Sequence, residues 1–247
     1  MDTEKSIGIK QVIRLEWLQK AADSVIAGMS EKDIRSELEE YLKDKSGSGA
    51  ALNRAEYTKS IAVSLLMNTW VSPRKDLIPL RDAALDRLKN NGDDAPVCHW
   101  LMYAGAYPFW FNICGVFGSL FSLQNQIIKK QIMSRIYEVY GERSTIERCS
   151  RYAIRTLAAW GLVKDQGKSG TYEKYEPKTI ESPALVSLIL ESALHVLPER
   201  KSSLTLLMSS PAFFPFRLPQ IDGGALAQEN PRLVQEQLDQ EYIGLRT

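Results

Sequence analysis

Three arginines in the second half of the chain, Arg148, Arg151 and Arg155, are separated by three and four residues. In an α-helix this spacing places the three side chains on one stripe of the surface. A guanidinium group presents a planar fork of N–H donors that pairs bidentately with a guanine edge or binds a phosphate. Thr145 falls on the same stripe, and Tyr152 lies beside it. The pattern is typical of a helix that enters the major groove of double-stranded DNA.

Such a helix needs defined ends, and the flanking sequence predicts both. Residues 144–147 (Ser-Thr-Ile-Glu) match a capping box, in which Ser144 is the N-cap and the Glu147 side chain reaches back to it. The helix is expected to run to Trp160, where Gly161 is the left-handed residue that ends it. A preceding helix is expected over residues 125–140, so the arginines would lie on the second of two consecutive helices.

After Gly161 the hydrophobic pattern changes from helical to alternating. Residues 162–165 and 171–175 are strand candidates on either side of the glycine-containing turn 167–170. Lys168 at the tip of this turn and Lys174 on the second strand are placed to meet backbone phosphate. The order helix, turn, helix, hairpin predicts a winged helix-turn-helix.

The charge distribution agrees with this interpretation. The whole chain has a net charge of +1, whereas residues 129–178 hold 11 Lys and Arg against 6 Asp and Glu, a balance of +5. A local basic block indicates an anionic partner better than an overall charge near zero does. The predicted DNA-binding residues are Lys129, Lys130, Ser144, Thr145, Arg148, Arg151, Tyr152, Arg155, Lys168 and Lys174.

Two other interpretations of the same residues stay open. Arg and Glu are common on exposed helix faces, where an i, i+4 pair such as Glu147 and Arg151 adds only about 0.3–0.5 kcal/mol to helix stability. Winged helices also act as protein-interaction modules. Binding of a partner protein, or a purely structural role, would therefore produce a similar sequence.

The segment between Asp94 and Lys129 contains no Asp, Glu, Lys or Arg over 34 residues. About 20 consecutive apolar residues suffice to cross a bilayer, so a membrane-associated protein is a third interpretation. Pro96 and Pro108 nevertheless divide the segment, polar residues dilute its second half, and the flanks lack a one-sided positive cluster. Two buried core helices therefore explain it better, and no membrane partner is expected.

The chain as a whole is predicted to be mainly α. We expect an N-terminal helical bundle over residues 1–92, the apolar helices and winged helix-turn-helix with its small β-hairpin over 93–178, and a helical C-terminal region with an extended tail over 179–247. Residues 162–176 are expected to hold the only appreciable β-structure. Asp222-Gly223-Gly224 indicates a linker, and the last 20 residues suggest a small amphipathic helix.

No catalytic constellation, metal site or cofactor motif is visible, so a non-enzymatic protein without a cofactor is expected. The chain has no GxxxxGK[ST], GxGxxG or HExxH motif. Its two histidines, His99 and His195, lie in apolar surroundings and are expected to be packed core residues. Three cysteines without paired spacing, and an N-terminus without an apolar signal core, favour the cytoplasm.

Three stretches resemble the BrxA family of BREX phage-defence systems. They are the apolar segment LMYAGAYPFW, the helix end EVYGERSTIER and the closing LAAWGLV, within a similarity over about residues 10–220. The resemblance implies a small, helical, cytoplasmic protein with a winged helix-turn-helix body. It further implies binding of double-stranded DNA without catalytic activity, with other proteins of a defence complex as possible partners.

Overall fold

In the computed structural model, eleven α-helices and eight short strands are formed by the parts of the chain that the structure describes, which are residues 7–43, 45, 52–167, 170–237 and 239–246. The helices are α1 (Leu15–Ile26), α2 (Glu31–Tyr41), α3 (Leu52–Leu66), α4 (Ile78–Asn90), α5 (Ala95–Ala106), α6 (Pro108–Phe121), α7 (Lys129–Tyr140), α8 (Ser144–Ala159), α9 (Pro183–Leu194), α10 (Leu204–Met208) and α11 (Gly223–Glu229). The strands are β1 (Gln126–Ile128), β2 (Val163–Asp165), β3 (Thr171–Lys174), β4 (Lys178–Thr179), β5 (Lys201–Ser203), β6 (Phe216–Arg217), β7 (Leu233–Gln237) and β8 (Glu241–Leu245). The prediction of a mainly α protein is confirmed.

The apolar segment forms α5 and α6, which are the most buried helices of the first two-thirds of the chain. Trp100, Tyr103, Phe109, Trp110 and Phe117 are fully buried there. The prediction of two core helices is confirmed, because each has buried residues around its whole circumference. Among the helices that the structure describes, none combines the length and the apolar character that crossing a bilayer requires.

A close approach of backbones fixes the C-terminal segment against α6. A Cβ atom on Gly118 would lie 1.8 Å from the carbonyl oxygen of Pro211, so only glycine fits at this position. Pro211–Phe213 forms a 3₁₀ turn on α6, and Phe213 and Phe216 then pack edge-on against Trp100. The three prolines of residues 211–219 favour an extended chain, but proline is well tolerated at the first position of such a turn.

The C-terminal region contains more β-structure than the sequence predicted. The prediction of one hairpin is wrong, because β4 pairs with β6 in parallel and β5, β8 and β7 form a three-stranded antiparallel sheet. The expected terminal amphipathic helix is a β7–β8 hairpin, whose apolar residues Leu233 and Ile243 are buried; Leu238 lies outside the described residues. The expected linker at 222–224 is instead the start of α11, where the Asp222 side chain accepts a hydrogen bond from the Ala225 amide at 2.9 Å.

A buried ionic cluster attaches this C-terminal sheet to α9. Glu191 is about 2% exposed, and it accepts two hydrogen bonds of 2.7 Å from Arg232 and one of 2.6 Å from Asn230. His195, one turn further along α9, lies 3.9 Å from Glu191 and 3.6 Å from Asp76. We call Glu191, His195, Asn230 and Arg232 the Glu191 cluster.

Buried side chains from all three predicted parts of the chain belong to one continuous hydrophobic core. At its edge, Trp160 contacts Tyr103 and Trp110, with ring centroids 5.5 and 4.9 Å apart. Helix α8 is thus attached to the most buried layer of the molecule, and its outer face is held in a fixed position.

Candidate nucleic-acid interface

Helices α7 and α8 lie between β1 and the β2–β3 hairpin in the chain. The three strands form one antiparallel sheet in the order β1-β3-β2. Tyr172 on the central strand β3 pairs with Ile127 on β1 and with Asp165 on β2. The expected hairpin strands 162–165 and 171–175 therefore correspond to β2 and β3. The strand β1 was expected to be the first turn of the preceding helix, which instead begins at Lys129.

The buried face of α8 is the one that the sequence predicted. Ile146, Ala153, Ile154 and Leu157 are buried, and Gly161 follows the helix with φ of +67°. A left-handed residue at this position is strained unless it is glycine, so the chain turns sharply into β2 here.

The expected capping box at the start of α8 is wrong. The N-cap is Arg143, whose side chain caps no amide, and Ser144 already lies in the first turn. The Glu147 amide bonds to the Arg143 carbonyl oxygen at 3.0 Å, while the Glu147 carboxylate lies 3.6 Å from Arg151. The Arg143 guanidinium bonds to the Tyr140 carbonyl oxygen at 3.0 Å and so closes the α7–α8 turn.

The outer face of α8 carries Arg148, Arg151 and Arg155, which we call the arginine stripe. All three side chains are exposed, as are Ser144 and Thr145 at the start of the helix, and Tyr152 is half-buried. Only Arg151 forms an ion pair within the described chain, and that pair with Glu147 is itself exposed. Exposed guanidinium groups without a carboxylate partner are available to an external anion.

The lysines of the predicted interface do not all lie together. Lys129 lies against the turn of the β2–β3 hairpin, where its amide bonds to the Gly170 carbonyl oxygen at 2.8 Å. Lys130 and Lys174 are exposed, but each lines a groove to which α8 contributes no residue. Lys168 lies outside the described residues.

The structure reveals one hairpin cation that the sequence analysis did not single out. Lys164 on β2 is exposed, and its ammonium group lies 5.0 Å from the centre of the Tyr175 ring. The alternation of side chains along a strand was the available signal, because it places Lys164 on the face opposite the buried Val163.

Burial shifts the pKa of two groups that lie away from the exposed face of α8. Burial raises the pKa of the Cys149 thiol on α8, and it lowers the pKa of the His99 imidazole to about 3. Both histidines are buried, as the sequence predicted. Across the described ranges, no group of three or more His, Cys, Asp or Glu is arranged to hold a metal ion.

Comparisons of the chain with protein-family models, with curated proteins and with solved structures found no match.

Proposed function

We propose that the chain binds double-stranded DNA without catalysing a reaction, and that α8 is the helix that enters the major groove. The observation that carries the proposal is the arginine stripe, whose side chains are exposed and meet only one carboxylate, on a rigidly packed helix. An α-helix with its side chains is about 10–12 Å wide, and the major groove is about 12 Å wide.

In this proposal, β1, α7, α8, β2 and β3 form a winged helix-turn-helix. Helix α7 supports α8 from behind, and the β2–β3 hairpin is the wing, with Lys129 beside its turn and Lys164 on its first strand. The hairpin cations contact phosphates and thereby orient the domain, whereas the arginine stripe reaches the base edges. The partially positive N-terminus of α8 adds a favourable interaction with phosphate near Ser144 and Thr145.

The BrxA resemblance supports the same function, and it adds the context of a phage-defence complex in the cytoplasm. Since only short stretches of sequence carry it, the proposal of DNA binding rests on the face of α8 and is tested without reference to any other defence protein.

The test is a fluorescence anisotropy titration of a labelled DNA duplex of mixed sequence with the wild type and the R148A/R155A variant. We expect the substitution to weaken binding by roughly 1–3 kcal/mol for each base-contacting residue, or to reduce the salt slope by about one unit for each residue that contacts only phosphate. Arg148 and Arg155 are chosen over Arg151 because neither has an ion pair in the described chain that the substitution would break.

The matched control is K32A/R35A on the exposed face of α2, which also removes two positive charges. Arg81 and Arg87 are unsuitable as controls, because Arg81 bonds to Asp82 and to the Val71 carbonyl oxygen and Arg87 pairs with the buried Asp94. If R148A/R155A and the control bind with the affinity of the wild type, α8 is not the DNA-contacting helix.

A second candidate function, binding of a partner protein, is favoured by one surface feature. A groove of about 580 Å³ between α6 and α7 is lined mainly by apolar residues, and Val139 at its side is 57% exposed. In this case co-purification of a partner would survive high salt and would be lost in a V139D variant, whereas DNA binding would be unchanged.

A further inference from the structure

Residues 7–14 are far from α8 in sequence, but Ile13 in this segment is hydrogen-bonded to the C-terminal end of that helix. The Ile13 amide donates a hydrogen bond of 3.2 Å to the Thr156 hydroxyl, and the Ile13 carbonyl oxygen accepts one of 3.0 Å from the Trp160 indole. Both backbone polar groups of Ile13 are therefore bound, one by Thr156 on α8 and the other by Trp160 directly after it, which fixes Ile13 relative to the helix.

Apolar side chains attach the same segment to the core. Ile9 and Ile13 are fully buried, and a Cβ atom on Gly8 would lie 2.7 Å from the Tyr107 ring, so the backbone approaches the core closely there. The side chains of Lys10 and Arg14 are exposed. Neither forms an ion pair or a side-chain hydrogen bond within the part of the chain that the structure covers.

The segment borders the arginine stripe on one side. Arg148, Tyr152 and Thr156 are spaced by four residues, so they form one row along α8 that passes from the exposed Arg148 to the buried Thr156. Since Thr156 binds Ile13, Ile13 lies at the end of this row, on the Tyr152 side of the stripe. Lys10 precedes Ile13 by three residues in this segment. Burial raises the pKa of the Cys149 thiol on α8, and the positive charges of Arg148 and Lys10 act in the opposite direction.

We infer that residues 7–14 form a second DNA-contacting element, in which Lys10 and Arg14 bind phosphates of the DNA strand that borders the groove beside α8. The inference rests on the proposed function of α8. A helix in the major groove nearly fills its width, so groups immediately beside the helix face the phosphates along the groove's edge rather than the bases. Lys10 and Arg14 therefore increase affinity for any duplex and add no sequence preference.

The test measures the affinity of a DNA duplex against salt concentration for the wild type and K10A/R14A. Each phosphate contact contributes about −0.9 to the slope of log K against log salt, so we expect the slope to become shallower by about two units. The conservative K10R/R14K variant keeps both charges and should keep the slope. The melting temperature of K10A/R14A should equal that of the wild type, because both side chains are exposed.

The controls separate this inference from the function on which it rests. K32A/R35A removes two charges from α2 and should leave the slope unchanged. If K10A/R14A keeps the wild-type slope while R148A/R155A reduces it, residues 7–14 do not contact DNA but the proposed function stands. If the wild type shows no salt-dependent binding of the duplex, both proposals are wrong. If K10A/R14A and K32A/R35A made the slope shallower by the same amount, the change would reflect net charge alone and would also overturn the inference.

Discussion

Arginines occur in two contrasting settings in this molecule. In the Glu191 cluster, Arg232 is about 33% exposed and forms two hydrogen bonds of 2.7 Å with a carboxylate that is about 2% exposed. In the arginine stripe, the side chains are exposed and meet only one carboxylate, at 3.6 Å. The same residue type therefore stabilises the fold in one place and is available for binding in the other. Removing a partner from the Glu191 cluster should alter folding, whereas removing stripe residues should alter only binding.

The largest effect on stability is expected from R232A. The variant leaves the Glu191 carboxylate buried without its main partner, which typically costs about 3–5 kcal/mol. Because Arg232 is partly exposed and water can reach the site, we expect about 3 kcal/mol, measured by urea unfolding. Arg246 is close to Arg232, because its amide bonds to the Arg232 carbonyl oxygen at 2.8 Å, but its side chain is exposed and forms no ion pair within the described chain. R246A is therefore the control and should change stability by less than about 0.5 kcal/mol. Equal effects of the two variants would contradict the role of the cluster.

A second prediction uses the acid dependence of the Glu191 cluster. Burial alone would raise the pKa of the Glu191 carboxyl, but its contacts with His195, Arg232 and Asn230 together hold it below the usual value of 4.5. A lowered pKa in the folded state contributes stability above pH 4.5 that is lost as the pH falls through the folded value. The difference in unfolding free energy between the wild type and E191Q should therefore be largest near pH 7 and shrink below pH 4.5. A difference that grows on acidification would refute the lowered pKa.

An intermediate effect is expected at the boundary between the two faces of α8. T156V removes the hydroxyl that accepts from the Ile13 amide and donates to the Tyr152 carbonyl oxygen at 2.9 Å. An unsatisfied buried amide costs about 1–3 kcal/mol, and valine keeps the side-chain volume. We expect a loss of about 1–2 kcal/mol by urea unfolding. T145V on the exposed side of the same helix is the control and should be nearly neutral; if it destabilises as much as T156V, the tether to residues 7–14 is unimportant.

The smallest effect on stability is expected from R148A/R155A. Both side chains are exposed and neither has a described ion pair, so the free energy of unfolding should change by less than about 0.5 kcal/mol. This result is needed before any loss of DNA binding is assigned to contacts rather than to unfolding. A loss of more than about 1 kcal/mol would show that the stripe contributes to the fold.

Local sequence patterns were sufficient for the buried helices α5 and α6 and for the arginine stripe on α8. Period 3.6 and the terminal glycine determine α8, and the lack of charge in the apolar segment determines its burial as α5 and α6. The capping box was wrong because the helix starts one residue earlier than the Ser144 pattern suggests, and such boundaries are uncertain by one or two residues.

The features that depend on contacts distant in sequence could not be predicted from it. The last residues alternate weakly enough to suggest a helix, but β8 pairs with β5 about 40 residues earlier, and this pairing makes them a hairpin. Glu191 gives no local sign that it meets Arg232. Likewise, nothing near Lys10 or Arg14 indicates that residues 7–14 lie beside α8, because the contact is made by Thr156 and Trp160.

The most direct test of DNA binding through exposed cations is the salt dependence of duplex binding by the wild-type chain. About 5–7 phosphate contacts by the basic block, with two more from Lys10 and Arg14, would give a slope of log K against log salt of about −6 to −8, since each contact contributes about −0.9. We predict a slope in this range, with R232A, studied under conditions where it is folded, giving the same value. A wild-type affinity that stays constant between low and physiological salt would contradict the account.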